Sequence, residues 1–331
     1  MVVIMEKIYK WGILGPGSIA HKFAEGLEVL DNAELYAVVS RSTDKAESFG
    51  EKYHIKKRYS NYDDFCNDKD IDIVYIATPH PMHKKFCIMC MEAGKSVLCE
   101  KPVAMNEREL TEMISCAKKN NVFFMEAMWT RFLPSIVKVR ELLRNDKIGK
   151  IKRVTADFAF NAMAKEGRLY ELELGGGALL DVGVYVLSLA TMILGSEPKK
   201  VNSSVYIGET GVDERANITM EYENGVSAAL FCGISINTID DAYLYGEKGY
   251  IRIPYFWHSE RVIVKMFDEN EEQIIELPML LPGFNYEAQE VMKCIDKGQS
   301  ESKIMPLNES LKIIRIMDEL RKQWGLKYPT E

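Results

Sequence analysis

The sequence predicts an α/β protein: a doubly wound parallel sheet, followed by a second α/β domain built on an open, largely antiparallel sheet. Three observations carry this. A strand-like run ends at Leu14, turns through Gly15-Pro16-Gly17 and enters a helical pattern at Ile19, Ala20, Phe23, Ala24 and Leu27. Strand and helix signals then alternate with short turns to about residue 126, the rhythm of parallel strands with helices on both faces. Beyond that point strand signals come in series with few helices between them, as in an antiparallel sheet.

In order, strands are expected at 33–39, 71–77, 96–99 and 122–126, and helices at 43–53, 82–93 and 106–120. Gly94 closes the second of these helices. Asn106 with Glu109 three residues on resembles a capping box for the third. The second part opens with a helix at 135–144 and a strand at 151–160. Gly175-Gly176-Gly177 precedes a long apolar helix at 178–194, stopped by Gly195 and Pro198. Strands follow at 200–207, 216–222, 226–234, 242–245, 250–253, 261–267 and 273–277. Asn224-Gly225 between two of them predicts a type I′ hairpin. Helices at 286–297 and 309–324 end the chain. The expected division is residues 1–126 as a dinucleotide-binding domain and 127–331 as a substrate-binding and dimerisation domain. Helices cover one face of such a sheet, so the other face predicts a homodimer.

Gly15, Gly17 and Ala20 fit G-x-G-x-x-G/A, the fingerprint of a Rossmann dinucleotide site. Gly15 makes the turn, Gly17 lets backbone approach a pyrophosphate, and Ala20 lets helix and strand pack closely. The N–H groups at the helix start, through Ser18 and Ile19, then hold phosphate. An acidic residue at the end of the second strand would hold the ribose of NAD. Here that place reads Ser40-Arg41-Ser42. A planar guanidinium and two hydroxyls suit a 2′-phosphate, which favours NADP, with NAD possible.

Composition narrows the classes. The 331 residues carry a net charge of −7, which argues against a nucleic-acid surface. No apolar run is expected to reach the ~18 residues of a membrane span. Glu6, Lys7 and Lys10 interrupt the early apolar residues, unlike a signal peptide. Seven cysteines, an odd number, read as reduced thiols of a cytoplasmic protein. Cys87-Ile88-Met89-Cys90 sits mid-helix, where a redox pair would not, and reads as buried packing.

Two further motifs carry chemistry. Glu100-Lys101-Pro102 follows a buried strand and so lies at a carboxyl edge, where open α/β sheets bind ligands. Thr78, Pro79, His80 and His83 lie at the same edge and are expected near the cofactor. Two histidines without a further ligand do not make a metal site, and none is expected. Asp181 and Tyr185 stand four apart on one face of the apolar helix. A carboxylate and a phenol there need partners.

The fingerprint, Glu100-Lys101-Pro102 and Asp181-x-Gly183-x-Tyr185 together resemble the glucose–fructose oxidoreductase/inositol dehydrogenase (Gfo/Idh/MocA) family over nearly the whole chain. Met125-Glu126-Ala127-Met128-Trp129-Thr130-Arg131-Phe132 and the stretch 175–185 look like its branch of dimeric dihydrodiol dehydrogenase and NADP-dependent D-xylose dehydrogenase. Most of the wider family has histidine at the place of Tyr185; the branch shares the tyrosine. The resemblance implies dimerisation through the open sheet, and Lys101 and Tyr185 as the catalytic pair with Asp181 beside them. Trp129 and Arg131, after the last Rossmann strand, and Phe158, Phe160, Arg168 and Phe284, mainly by resemblance, are the expected substrate contacts.

The pair is chemically sensible. Alcohol oxidation removes a hydride and a proton, and a side chain must take the proton. Tyrosine, with a pKa near 10, needs roughly 4 kcal/mol of stabilisation to titrate three units lower. An ammonium ~4 Å away at an effective dielectric of ~20 supplies about that. The proton could equally be carried by Lys101, with Tyr185 positioning the substrate. The expected activity is NADP-dependent oxidation of a secondary alcohol of a cyclic polyol, a sugar or a trans-dihydrodiol. The rivals are another sugar or inositol dehydrogenase or reductase of the family, and a non-catalytic NADP-binding sensor. The sensor has no need of a proton-transfer pair.

Overall fold

The computed structural model describes residues 7–163, 166–329 and 331. The chain forms two compact units. One comprises residues 1–104, 108–129 and 280–307; the other comprises 105–107, 130–279 and 308–331. The chain thus returns to the first unit late, over residues 280–307.

The first unit is built in order from β1 (Tyr9–Leu14), α1 (Ser18–Glu28), β2 (Ala33–Val39), α2 (Thr43–Lys52), β3 (Lys57–Tyr59), α3 (Tyr62–Asn67), β4 (Ile73–Ile76), α4 (His83–Glu92), β5 (Ser96–Glu100), α5 (Glu107–Asn120) and β6 (Phe124–Ala127). The sheet order is β3-β2-β1-β4-β5-β6, and every described pair is parallel. This is the doubly wound order with its switch between β1 and β4. All four residues of β4 are fully buried, as a strand covered on both faces requires. Trp11, Phe23 and Tyr75 pack between sheet and α1: Trp11 is tilted against Phe23, and the Phe23 and Tyr75 rings are 3.7 Å apart and nearly parallel. Cys87 and Cys90 are fully buried in α4, with Cys90 Sγ 3.5 Å from Cys66 Sγ.

The second unit starts with α6 (Pro134–Arg144) and β7 (Ile151–Ala159). A turn of π-helix, Leu179–Gly183, then runs into α7 (Val184–Leu194). There follow β8 (Lys200–Ile207), β9 (Asp213–Glu221), β10 (Ser227–Gly233), β11 (Ala242–Gly246), β12 (Gly249–Ile253), β13 (Arg261–Met266) and β14 (Glu272–Glu276). Next in sequence is α8 (Asn285–Asp296), which belongs to the first unit, and then α9 (Leu307–Trp324) in the second. The eight strands run β14-β13-β12-β11-β7-β10-β9-β8, antiparallel except for β7 beside β10.

The expected hairpin forms at Asn224-Gly225. Both residues have positive φ, and the Val226 N–H donates to Glu223 O. Along β9, Ala216, Ile218 and Met220 are fully buried while Asn217, Thr219 and Glu221 face outward. The helical stretch Leu172–Leu194 corrects one expectation. By length and composition it could cross a membrane, yet 83 % of its apolar window is buried inside the protein. It is the core helix that the sheet packs on, which explains why it is apolar all round.

Candidate active site

In the first unit the glycine turn has the geometry its residues require. Gly15 sits at φ +93, and a Cβ there would meet Thr78 Cγ2 at 3.0 Å and Ala77 O at 3.1 Å. Gly17 is extended, at φ −88 and ψ −174, and a Cβ there would find nothing closer than 4.0 Å. Its space is open toward a ligand, which is where a pyrophosphate needs it. Among the described residues no side chain caps α1 and no acidic residue stands in its first turn. The N–H groups of Ser18, Ile19 and Ala20 therefore face outward from a positive helix end. This cradle fits a dinucleotide.

After β2, the Ser42 N–H donates to Ser40 Oγ at 3.2 Å, and Ser42 Oγ caps α2 by accepting from the Lys45 N–H. Both hydroxyls are thus tied into the turn, and Arg41 between them is exposed.

At the end of β5, Glu100 is buried and accepts a short hydrogen bond from Tyr75 Oη. Its other oxygen accepts from the Lys101 N–H at 3.2 Å. The Lys101–Pro102 peptide bond is cis. His83 is 0 % exposed, with Nδ1 2.9 Å from Pro102 O and Nε2 2.9 Å from Thr78 O. Burial pushes its imidazolium down to about 4, so at neutral pH the ring donates to one of these carbonyls. It ties the loop after β4 to the loop after β5. His83, an expected cofactor contact, thus has both ring nitrogens within hydrogen-bond distance of main-chain carbonyls. His80, 5 % exposed, meets it edge to face, and Pro79 precedes the 3₁₀ turn His80–Met82. Trp129 and Phe284 stack with centroids 4.6 Å apart.

In the second unit two pairs of the expected residues meet. Arg168 Nη2 donates to Asp181 Oδ1 at 2.7 Å. Tyr185 follows one turn later, 8 % exposed, with the Phe158 ring 5.3 Å away. Phe158 stacks in turn on Trp257 at 4.9 Å, and Trp257 Nε1 donates to Asp240 Oδ2 at 3.1 Å. Burial, with Asp240 and Asp241 nearby, raises the Asp157 carboxyl above its usual range. Sequence reading missed Trp257; its one signal was the run Phe256-Trp257-His258 just after β12. Phe160 is half-buried just past the end of β7.

Arg131, an expected substrate contact, is enclosed by protein. It is 2 % exposed, donating from Nε to Ser188 Oγ at 2.8 Å and from Nη2 to Ser188 O at 2.9 Å and Glu309 Oε1 at 2.5 Å. It is a buried ion-paired strut within the unit, since a guanidinium so enclosed must be matched in charge and hydrogen bonds.

The glycine turn of the first unit is that of a dinucleotide-binding protein. Residues 9–128 match the profile described as oxidoreductase family, NAD-binding Rossmann fold, and residues 136–252 match the GFO/IDH/MocA C-terminal domain. A trans-1,2-dihydrobenzene-1,2-diol dehydrogenase of Xenopus laevis is 39% identical over 97% of this chain and 99% of its own. An aldose–aldose oxidoreductase from Caulobacter crescentus has a TM-score of 0.86 at 26% identity, covering 96% and 98% of the two chains. A 3-ketoreductase from Actinomadura kijaniata, in complex with NADP, has a TM-score of 0.86 at 23% identity, covering 95% and 97%. The chain belongs to the Gfo/Idh/MocA family of oxidoreductases and is an NAD(P)-dependent dehydrogenase.

Proposed function

We propose that this protein is a cytoplasmic, homodimeric, NADP-dependent oxidoreductase acting on a secondary alcohol of a cyclic polyol, a sugar or a trans-dihydrodiol. The observation that carries the reading is the surround of Tyr185. A phenol one turn from a carboxylate held by Arg168, against a wall of Phe158 and Trp257, suits a ring with an apolar face and hydroxyl edges. The dihydrodiol dehydrogenase named above and the aldose oxidoreductase support the two substrate classes. The exposed Arg41 between two fixed serines, and NADP in the 3-ketoreductase, support the phosphorylated cofactor.

When bound, the nicotinamide supplies the hydride acceptor. Gly15, Gly17 and the N–H groups of Ser18, Ile19 and Ala20 hold the pyrophosphate, with Thr78, Pro79 and His80 at the neighbouring strand end. Tyr185 takes the hydroxyl proton as the carbon–hydrogen bond breaks, and Lys101 lowers the cost of the phenolate. Asp181, fixed by Arg168, orients the substrate hydroxyl. Trp129, Phe160 and Phe284 add apolar lining. In the reverse direction the same phenol protonates a keto-sugar oxygen, a reading favoured by the 3-ketoreductase likeness in fold.

A panel of aldoses, inositols and trans-dihydrodiols offered with NADP or NAD tests this, followed by nicotinamide absorbance. Turnover of one ring polyol class with a preference for NADP is expected. Binding of NADP with no turnover of any member in either direction would favour the sensor instead.

A further inference from the structure

Asp213, at the start of β9, is completely buried in the second unit and takes no part in the chemistry described so far. Its Oδ2 accepts from the Leu179 N–H at 2.6 Å. Leu179 opens the π-turn that holds Asp181, and α7 with Tyr185 continues from it. Its Oδ1 has no hydrogen-bond partner among the described residues and lies where a Cβ on Gly177 would stand, at 2.1 Å. Gly177 itself is at φ +115, so the position is closed to other residues by conformation as well as by space.

The triple glycine is clamped elsewhere too. A Cβ on Gly176 would meet Leu169 O at 2.7 Å and Arg168 O at 2.8 Å. The Gly177 N–H donates to Leu169 O, and Tyr328 Oη donates to Gly176 O at 2.7 Å. The turn bearing Arg168 and the helix bearing Asp181 are therefore both referred to the glycine turn, and the glycine turn to Asp213.

We propose that Asp213 is a positioning residue for the reaction: its carboxylate anchors the start of the helix on which Asp181 and Tyr185 stand. This rests on the roles proposed above for those two residues. A charged cap is about twice as strong as a neutral one and is favoured by the helix dipole. The ionisable groups around it are Arg321 on α9, Tyr328 beyond α9 and Cys232 on β10. Burial raises its carboxyl to about 7, against the Leu179 N–H first among the groups that lower it. The cap therefore changes strength within the physiological range.

Two effects of opposite sign follow. Its folded pKa lies above its unfolded value, so the stability it confers is present below about pH 4 and is lost as pH rises to about 7. The cap strengthens over the top of that interval, so turnover rises where stability has fallen.

The test is Asp213→Asn in the full chain, with kcat of the NADP complex and thermal unfolding followed from about pH 5 to 8.5. Tyr185 itself gives a kcat limb near pH 7 in both proteins; the wild type is expected to rise more steeply through it than the variant, with kcat about tenfold lower in the variant at the alkaline end. NADP affinity should stay within about twofold. The fall in Tm between pH 5 and 7 should be shallower in the variant. A kcat limb and a Tm slope both unchanged by the substitution would overturn the proposal. If the variant does not fold, carboxyl carbon NMR of wild-type protein labelled at aspartate decides. An aspartate titrating near 7 supports it, and all of them titrating below about 5 would overturn it. A changed Tm slope with unchanged kcat, together with normal turnover of Tyr185→Phe, would instead sink the assignment of Tyr185.

Discussion

Tyr185 and Arg41 show how much a single residue can decide. Tyr185 lies in an apolar helix, its ring against Phe158, so phenol and phenylalanine fill nearly the same space there. Tyr185→Phe is therefore expected to fold normally, bind NADP as before and lose roughly 10³-fold in kcat. Turnover within a few-fold of wild type would remove the phenol from the mechanism. Arg41 is the one guanidinium in the Ser40-Arg41-Ser42 turn, and both hydroxyls are already engaged in the turn and the α2 cap. Arg41→Ala should weaken NADP at least tenfold and leave NAD nearly unchanged, read by titration of either cofactor. Equal losses would contradict a 2′-phosphate role. At this scale sequence reading succeeded where a residue type had one physical use. Gly15 at positive φ was legible in that way. A sequence does not show that Ser188 and Glu309 will enclose Arg131, or that a pair of carbonyls will enclose His83.

Elements were legible in proportion to their length and periodicity. The helix from 178, the strands β1, β2 and β5, and the Asn224-Gly225 hairpin were all readable. β3 and α3 were not: Lys57-Arg58-Tyr59 is a three-residue, partly exposed edge strand, and α3 spans six residues. The π-turn at Leu179–Gly183 was also invisible, because its residues read simply as apolar helix. Beside it, a Cβ on Gly177 would lie 2.1 Å from Asp213 Oδ1. Gly177→Ala places a methyl against the carboxylate at a left-handed φ and should destabilise the protein by roughly 2–4 kcal/mol, seen as a lower midpoint in urea. An unchanged midpoint would mean that the glycine turn is not a tight anchor.

At the level of the whole molecule, charge and surface set the expectations. Glu287, in the first turn of α8, is fully buried, and neither carboxylate oxygen has a hydrogen-bond partner among the described residues. Burial, with Glu100 as charged neighbour, holds its pKa well above the usual value. A raised folded pKa confers stability at low pH that is lost as pH rises. Glu287→Gln should accordingly raise Tm more at pH 8 than at pH 5; the opposite order would show that the group is ionised and paired. The outer side of the second sheet presents Tyr243 stacked on Tyr245, Tyr250 tilted against both, and Phe267 61 % exposed beside Tyr250. The proposed dimer would cover this side. Sedimentation should return twice the chain mass, and a monomer at micromolar concentration would refute it. The two-layer plan of this domain was legible because polar and apolar residues alternate along β9. The return of residues 280–307 to the first unit was not, because no break in composition marks it.

The central proposal is that Lys101 and Tyr185 act on one proton. A double-mutant cycle in kcat, using Tyr185→Phe, Lys101→Met and the pair, tests it most directly. If they work as a unit, the double variant should be no slower than the slower single variant, to within about threefold. Losses that multiply, leaving the double variant slower by the product of the two singles, would contradict it.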